Sequence, residues 1–194
     1  MAHTGLRVAF VGFCQFLPEG SFLRDDRPTI AFASEERVRR SVAAARAAAD
    51  VVVASFHWGI EYDSRPDWRQ KALARAAVAA GADLVLGHHP HVLQGLEVIP
   101  RPSRPGRAPA LIAYSLGNFL FDQRTGATLQ SVILHCSLTA RGVVGAQIVP
   151  IQLDGMRPCP ATALQSRMIL ARLATLSAER NTTLTGGRIA LGDR

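Results

Sequence analysis

Asp83-Leu-Val-Leu-Gly-His-His-Pro-His91 runs from a carboxylate through three apolar residues to three histidines within four positions. Residues 84–86 are continuously apolar, the pattern of a short strand covered on both faces. Gly87 removes a side chain where the chain leaves that strand, so another group can approach the backbone closely. Pro90 fixes its own φ at about −65° and biases His89 away from the helical region, so residues 88–91 are expected to be extended. In an extended chain residues two apart point the same way. His89 and His91 are therefore expected on one side and His88 on the other. Neutral imidazole binds zinc, iron and nickel, so an H-x-H pair on a strand-end loop points to a metal or an anionic ligand.

Outward from this loop, residues 51–56 form a second continuous apolar run, ending at His57. A helix is expected over residues 67–80, with Pro66 and Asp67 in its first turn and Gly81 as its C′ residue. Two buried strands joined by one helix form a right-handed unit, parallel and close together. Their C-terminal ends share one sheet edge, where α/β proteins place ligands. That topology gathers His57, His89 and His91. Glu61, four residues past His57, is placed to bind metal, orient an imidazole or move protons. Ser115 and Asn118 offer polar groups after a further strand at residues 110–115. Each residue also has a plainer reading: His57 as a packed histidine beside Trp58, Glu61 as a solvated loop carboxylate, Asn118 as a turn-former beside Gly117.

The remaining pattern sets the fold class. Residues 7–13 read as a strand and residues 28–33 as a second short one. Ser34 caps a helix to about residue 49, with Glu35 and Glu36 in its first turn. Residues 94–99 read as a strand and the proline-rich 100–109 as a surface excursion. Residues 129–139 and 143–153 are two long strands turned at Arg141-Gly142. A last helix is expected over residues 163–177, and the polar stretch from Glu179 is expected to fray. Strands alternating with helices, then strands alone, imply an α/β fold with mixed sheets. One domain is expected over residues 1–178, with a flexible tail at 179–194.

The chain has 194 residues, 48% of them apolar, and a net charge of +7. That suffices for one domain with a core. No apolar run approaches the ~20 residues of a spanning helix, and no cleavage-site pattern follows residues 8–13. The chain as written is expected to be cytoplasmic, reaching a membrane only through partners. The charge is almost all arginine, with Lys71 the only lysine. The arginines are scattered without a dense run, which argues against specific nucleic-acid binding. Cys14, Cys136 and Cys159 form no C-x-x-C pair, which argues against a disulfide framework or a cysteine zinc site. No G-x-S-x-G elbow, Walker loop or dinucleotide fingerprint occurs.

His57-Trp-Gly-Ile-Glu-Tyr62, Gln70, Gly81-Ala-Asp83, Gly87-His-His-Pro-His91-Val-Leu-Gln94 and Tyr114-Ser-Leu-Gly-Asn-Phe119, in this order, resemble the CapA proteins of poly-γ-glutamate capsule synthesis. The domain of that family is similar to calcineurin-like metallophosphoesterases. The resemblance implies a four-layer α/β/β/α sandwich with a two-metal site. It matches His57, His89 and His91 to metal-binding histidines, Glu61 to the acidic residue of H-W-G-x-E-Y and Asn118 to that of S-L-G-N-F. The family's opening G-D-x-M strand and its N-N-H motif do not occur here. A partial sandwich is therefore expected, with not more than one divalent transition metal (Mn, Fe or Zn).

By resemblance the activity is hydrolysis or transfer at a phosphate, acyl-phosphate or amide centre, carried by His57, Glu61, His89 and Asn118. Two other classes stay open: a metal- or polymer-binding subunit that needs a partner supplying the missing half, and a cationic module for a polyanion. The expected partners are a phosphate ester or an anionic polymer such as poly-γ-glutamate, with self-association or a complementing subunit.

Overall fold

The computed structural model describes residues 5–17, 26, 30–101, 103–124 and 126–191. Among them a five-stranded sheet forms from β1 (Val8–Cys14), β2 (Val51–His57), β3 (Leu84–His88), β4 (Leu96–Ile99) and β5 (Ala110–Ala113), in the order β1-β2-β3-β5-β4. All neighbours are parallel except β4, which runs antiparallel to β5 at one edge. The two strands that carry histidines lie side by side, with His57 opposite His88.

The continuous apolar runs divide between two cores. Val52, Ala54, Phe56, Val85 and Ile112 face a cluster closed by helices α1 (Glu35–Ala48) and α2 (Trp68–Ala80). Val53, Leu84, Leu111 and Ala113 face the other way, towards a second sheet. Both faces are buried, so alternate residues of one strand serve different cores. Truncating a fully buried residue such as Leu111 to alanine would cost roughly 2–5 kcal/mol.

The second sheet is built on β6 (Gln130–Thr139) and β7 (Gly142–Asp154), turned through Gly142 at φ 111°. Val132, Leu134, Cys136 and Leu138 point inward, while His135, Ser137 and Thr139 alternate outward. This is the one-sided pattern of an antiparallel sheet with a solvated face. Strand β8 (Arg157–Pro160) pairs with β7. Helix α3 (Ala163–Ala178) sends Ile169 and Leu173 into the core between the sheets. Parallel and antiparallel sheets with helices against them make this a mixed α/β fold of the metallophosphoesterase-like kind.

Local chemistry explains the helix boundaries. Ser34 accepts from the Arg37 amide, and Asp67 and Gln70 form a reciprocal capping box, as do Thr162 and Gln165. Asp67 is thus the N-cap itself, and Pro66 precedes the first turn expected to hold it. Gly81 ends α2 at φ 125°.

Three expectations change. The 94–99 strand begins only at Leu96, with Leu93 making an isolated bridge to Leu116. The 28–33 strand reduces, within the described residues, to one bridge between Phe32 and Cys14. The stretch expected to fray forms a hairpin of β9 (Leu184–Thr185) and β10 (Arg188–Ile189). Arg188 pairs with Gln147 of β7 and Ile189 is buried, so sheet pairing and apolar burial order a segment whose own composition is polar. The three cysteines are free and partly buried. No helix among the described residues is long and apolar enough to cross a membrane.

Candidate metal centre

The C-terminal ends of β2 and β3 open onto the loops that carry the candidate residues. His57 closes β2 and His88 closes β3 at the same register, their rings 5.2 Å apart. The chain then leaves the extended region. His89 has φ 102° and His91 φ 61°, both left-handed. The extended loop with strict alternation is therefore corrected: His88 stays beside His57, and His89 and His91 converge through a sharp turn. Left-handed non-glycine residues cost roughly 1–3 kcal/mol each and persist where surroundings hold them. Here the Tyr62 amide donates to the Pro90 carbonyl at 2.8 Å and the Trp58 amide to the His88 carbonyl at 3.1 Å.

Gly87 has a defined structural task. A Cβ there would meet the Tyr114 carbonyl oxygen at 2.0 Å and Trp58 Nε1 at 2.3 Å. The space is taken by the indole, whose Nε1 donates to that carbonyl at 2.9 Å while its ring stacks on Phe56. The closely approaching group anticipated at this glycine is thus Trp58. The 57–63 loop is pinned from below by a buried amide chain. Gln70 Nε2 donates to Gln94 Oε1 at 2.9 Å, and Gln94 Nε2 donates to the Asp63 carbonyl at 2.8 Å. Gly59, at φ 85°, lies against Gln70, where any Cβ would overlap the side-chain amide.

Among the described residues, Glu61, His89 and His91 bring one ligand atom each to within 4.8 Å of one another. Nε2 of His91 lies 3.8 Å from Oε1 of Glu61. His57 stands beside this group, its ring 4.6 Å from that of His89, without joining the three-atom cluster. His88 is outside it too. Burial holds His57 below the ordinary histidine value, with His91 adding to the effect. Burial also lowers His89, reinforced by His57 and His91 and opposed by Glu61. Neutral rings have a free lone pair, the state that metal ligation requires.

Asn118 is buried and fully engaged. Its Oδ1 lies 2.8 Å from His91 Nδ1, and its Nδ2 donates to Gln123 Oε1 and to the Thr128 carbonyl. Gln123 Nε2 in turn donates to the Tyr62 hydroxyl at 2.8 Å. An amide oxygen facing Nδ1 selects the tautomer with the proton there, leaving Nε2 free towards Glu61. Asn118 therefore touches the histidine rather than the space between the ligands. Among the described residues Ser115 is not bonded to the cluster; its Oγ accepts from the Gly117 amide. Gln123 and the aromatic walls Phe16 and Phe121, packed on His89 and His91, carry no motif that a sequence reading could single out, whereas Tyr62 closes the H-W-G-x-E-Y motif without a role assigned to it there.

The donor set tests well against a divalent transition metal. Two imidazoles and one carboxylate are ligands of Mn, Fe and Zn, and the orienting bond on His91 is the usual companion of a ligating histidine.

A mixed α/β fold with histidines and a carboxylate gathered beyond its parallel strand ends is metallophosphoesterase-like in architecture. The model of the bacterial capsule synthesis protein family PGA_cap matches residues 1–123, and the chain belongs to that family. It is 36% identical over 164 residues to the capsule biosynthesis protein CapA of Bacillus anthracis, covering 82% of this chain and 38% of the relative. It is 35% identical over 172 residues to the PGA biosynthesis protein CapA of Bacillus subtilis (strain 168), covering 88% of this chain and 43% of the relative. An uncharacterized protein of Sinorhizobium fredii, y4sH, is 49% identical over 53 residues, 27% of this chain and 10% of its own length. The chain thus spans about two fifths of the length of the CapA relatives it matches.

Proposed function

We propose that this chain carries a metallophosphoesterase-like hydrolase or transferase site in capsule-polymer biosynthesis, built around one divalent transition metal held by Glu61, His89 and His91. The observation that supports it is the convergence of these three ligand atoms within 4.8 Å. A bound metal would supply Lewis-acid polarisation of a phosphate or acyl oxygen. The protein's own part is to hold neutral imidazoles in place and to fix the His91 tautomer through Asn118. His57, next to His89, is placed to contact a substrate oxygen or to complete the ligand set. Asn118 serves as a positioning residue in this reading. The experiment is metal-dependent turnover of a phosphate-ester probe, with full-length relatives as the control. Loss of turnover in His89→Ala supports the reading, and metal-independent turnover contradicts it. Three ligands make an incomplete two-metal set, so activity well below that of the relatives is expected.

A second reading is a subunit that works with a complementing polypeptide. Its support is Phe10, which shares a face of β1 with Val8, and Val8 packs into the core between the sheets. Phe10 is nonetheless 73% exposed, on the edge strand of its sheet. A large aromatic on an open strand edge is a surface that another chain can cover.

A further inference from the structure

We propose that a groove of about 750 Å3 beside the edge strand β4 is a separate anion-binding site, taking an organic polyanion through its carboxylate or phosphate oxygens. Its walls come from α2, from the segment after β4 and from the turn after α3, and four arginines line it: Arg75, Arg101, Arg104 and Arg180. It shares no residue with the metal centre.

Two of these arginines are almost wholly buried, with side-chain exposures of 4% for Arg101 and 9% for Arg180. The Nε of each is buried without a hydrogen-bond partner among the described residues. Both Nε atoms are sealed from solvent, so the donors open to an oxyanion in the groove are chiefly those of Arg75 and Arg104. Arg104 donates to the Ala79 carbonyl at 2.9 Å and has no carboxylate partner among the described residues.

The acidic groups nearby are already committed. Glu97 accepts from the Tyr114 hydroxyl at 2.6 Å and from Arg75 at 3.4 Å. Asp83, fully buried, is shared by Arg46, Arg101 and Arg107. Glu179 pairs with Arg65 at 2.9 Å and stands 3.7 Å from Arg180. The groove is therefore left with net positive charge. Its guanidinium groups come from separate walls, which suits a ligand with several anionic groups rather than a single small ion.

The test is calorimetric titration of the full chain at low salt with three probes: inorganic phosphate, citrate and a short γ-linked glutamate oligomer. Saturable binding of citrate or the oligomer is expected, with phosphate weaker. A preference for phosphate over both would overturn the polyanion assignment. Arg75→Gln with Arg104→Gln should weaken binding by about tenfold or more, since charge-assisted contacts are lost. The Arg104→Glu change alone should move affinity the same way while leaving the Asp83 cluster intact. His89→Ala, which tests the metal centre, should bind the probes as the unaltered chain does. The proposal is overturned if no probe binds saturably or if the arginine variants bind as tightly as the unaltered chain.

Discussion

Oδ1 of Asn118 sits 2.8 Å from Nδ1 of His91, across 27 residues of sequence. That bond fixes which imidazole nitrogen is free for a metal, and it makes Asn118 a residue that acts through His91. Asn118→Ala should lower metal affinity by about 10–100-fold, the usual cost of losing an orienting partner. Asn118→Asp, which still accepts from Nδ1, should lose less. Metal titration with circular dichroism as a folding control reads this out, and equal losses in both variants would contradict the orienting role.

Gly87→Ala should prevent stable folding or cost several kcal/mol, roughly 3 or more, because its Cβ has to displace Trp58 and the Tyr114 backbone. Gly12, on the edge strand β1, has nothing among the described residues within 4 Å of the same added atom. Gly12→Ala should therefore be nearly neutral. Thermal melts of the two variants side by side test the contrast, and similar melting temperatures would count against it.

How much of this was legible beforehand depended on what held each element. Strands β2 and β3 and their shared edge follow from continuous apolar runs around one capped helix, all local signals. The conformation of residues 88–91 does not, because the positive φ at His89 and His91 goes with bonds from Tyr62 and Trp58, about 30 residues away, to the neighbouring carbonyls. Asp83 is shared by arginines 37, 18 and 24 residues away, a grouping that no local pattern announces. The hairpin at residues 184–189 is ordered by pairing with β7 and by one buried isoleucine, too short a pattern to outweigh its polar composition. Glu61 and Asn118 were legible as candidates, but that Glu61 faces the imidazole Nε2 of His91 and Asn118 its Nδ1 needed the geometry.

Acid stability carries a signature at the start of β1. The Arg7 amide and guanidinium both donate to Asp50, and these bonds hold its carboxyl below the ordinary value of 3.8. A lowered folded-state value means that the stabilisation is present above the unfolded value and is lost as pH falls through the folded one. Asp50→Asn should therefore melt below the unaltered chain at pH 7, with the gap closing as pH drops through and below the carboxylate range. A gap that widens on acidification would contradict this. The pair is exposed, so the effect should be small.

The exposed Phe10 on β1, an edge strand among the described residues, predicts association. Size-exclusion with light scattering should show self-association at micromolar concentration, together with binding of a dye that reports exposed apolar surface. Phe10→Asp should reduce both. A compact monomer that binds no dye would mean that the chain closes its own core.

The most direct test of the central claim is the metal stoichiometry and affinity of four single alanine variants at Glu61, His88, His89 and His91, beside the unaltered chain. About one divalent transition metal per chain is expected, with affinity falling about tenfold or more in the Glu61, His89 and His91 variants and holding in His88→Ala. No metal bound by the unaltered chain, or a loss in His88→Ala equal to that in His89→Ala, would contradict a centre built on Glu61, His89 and His91.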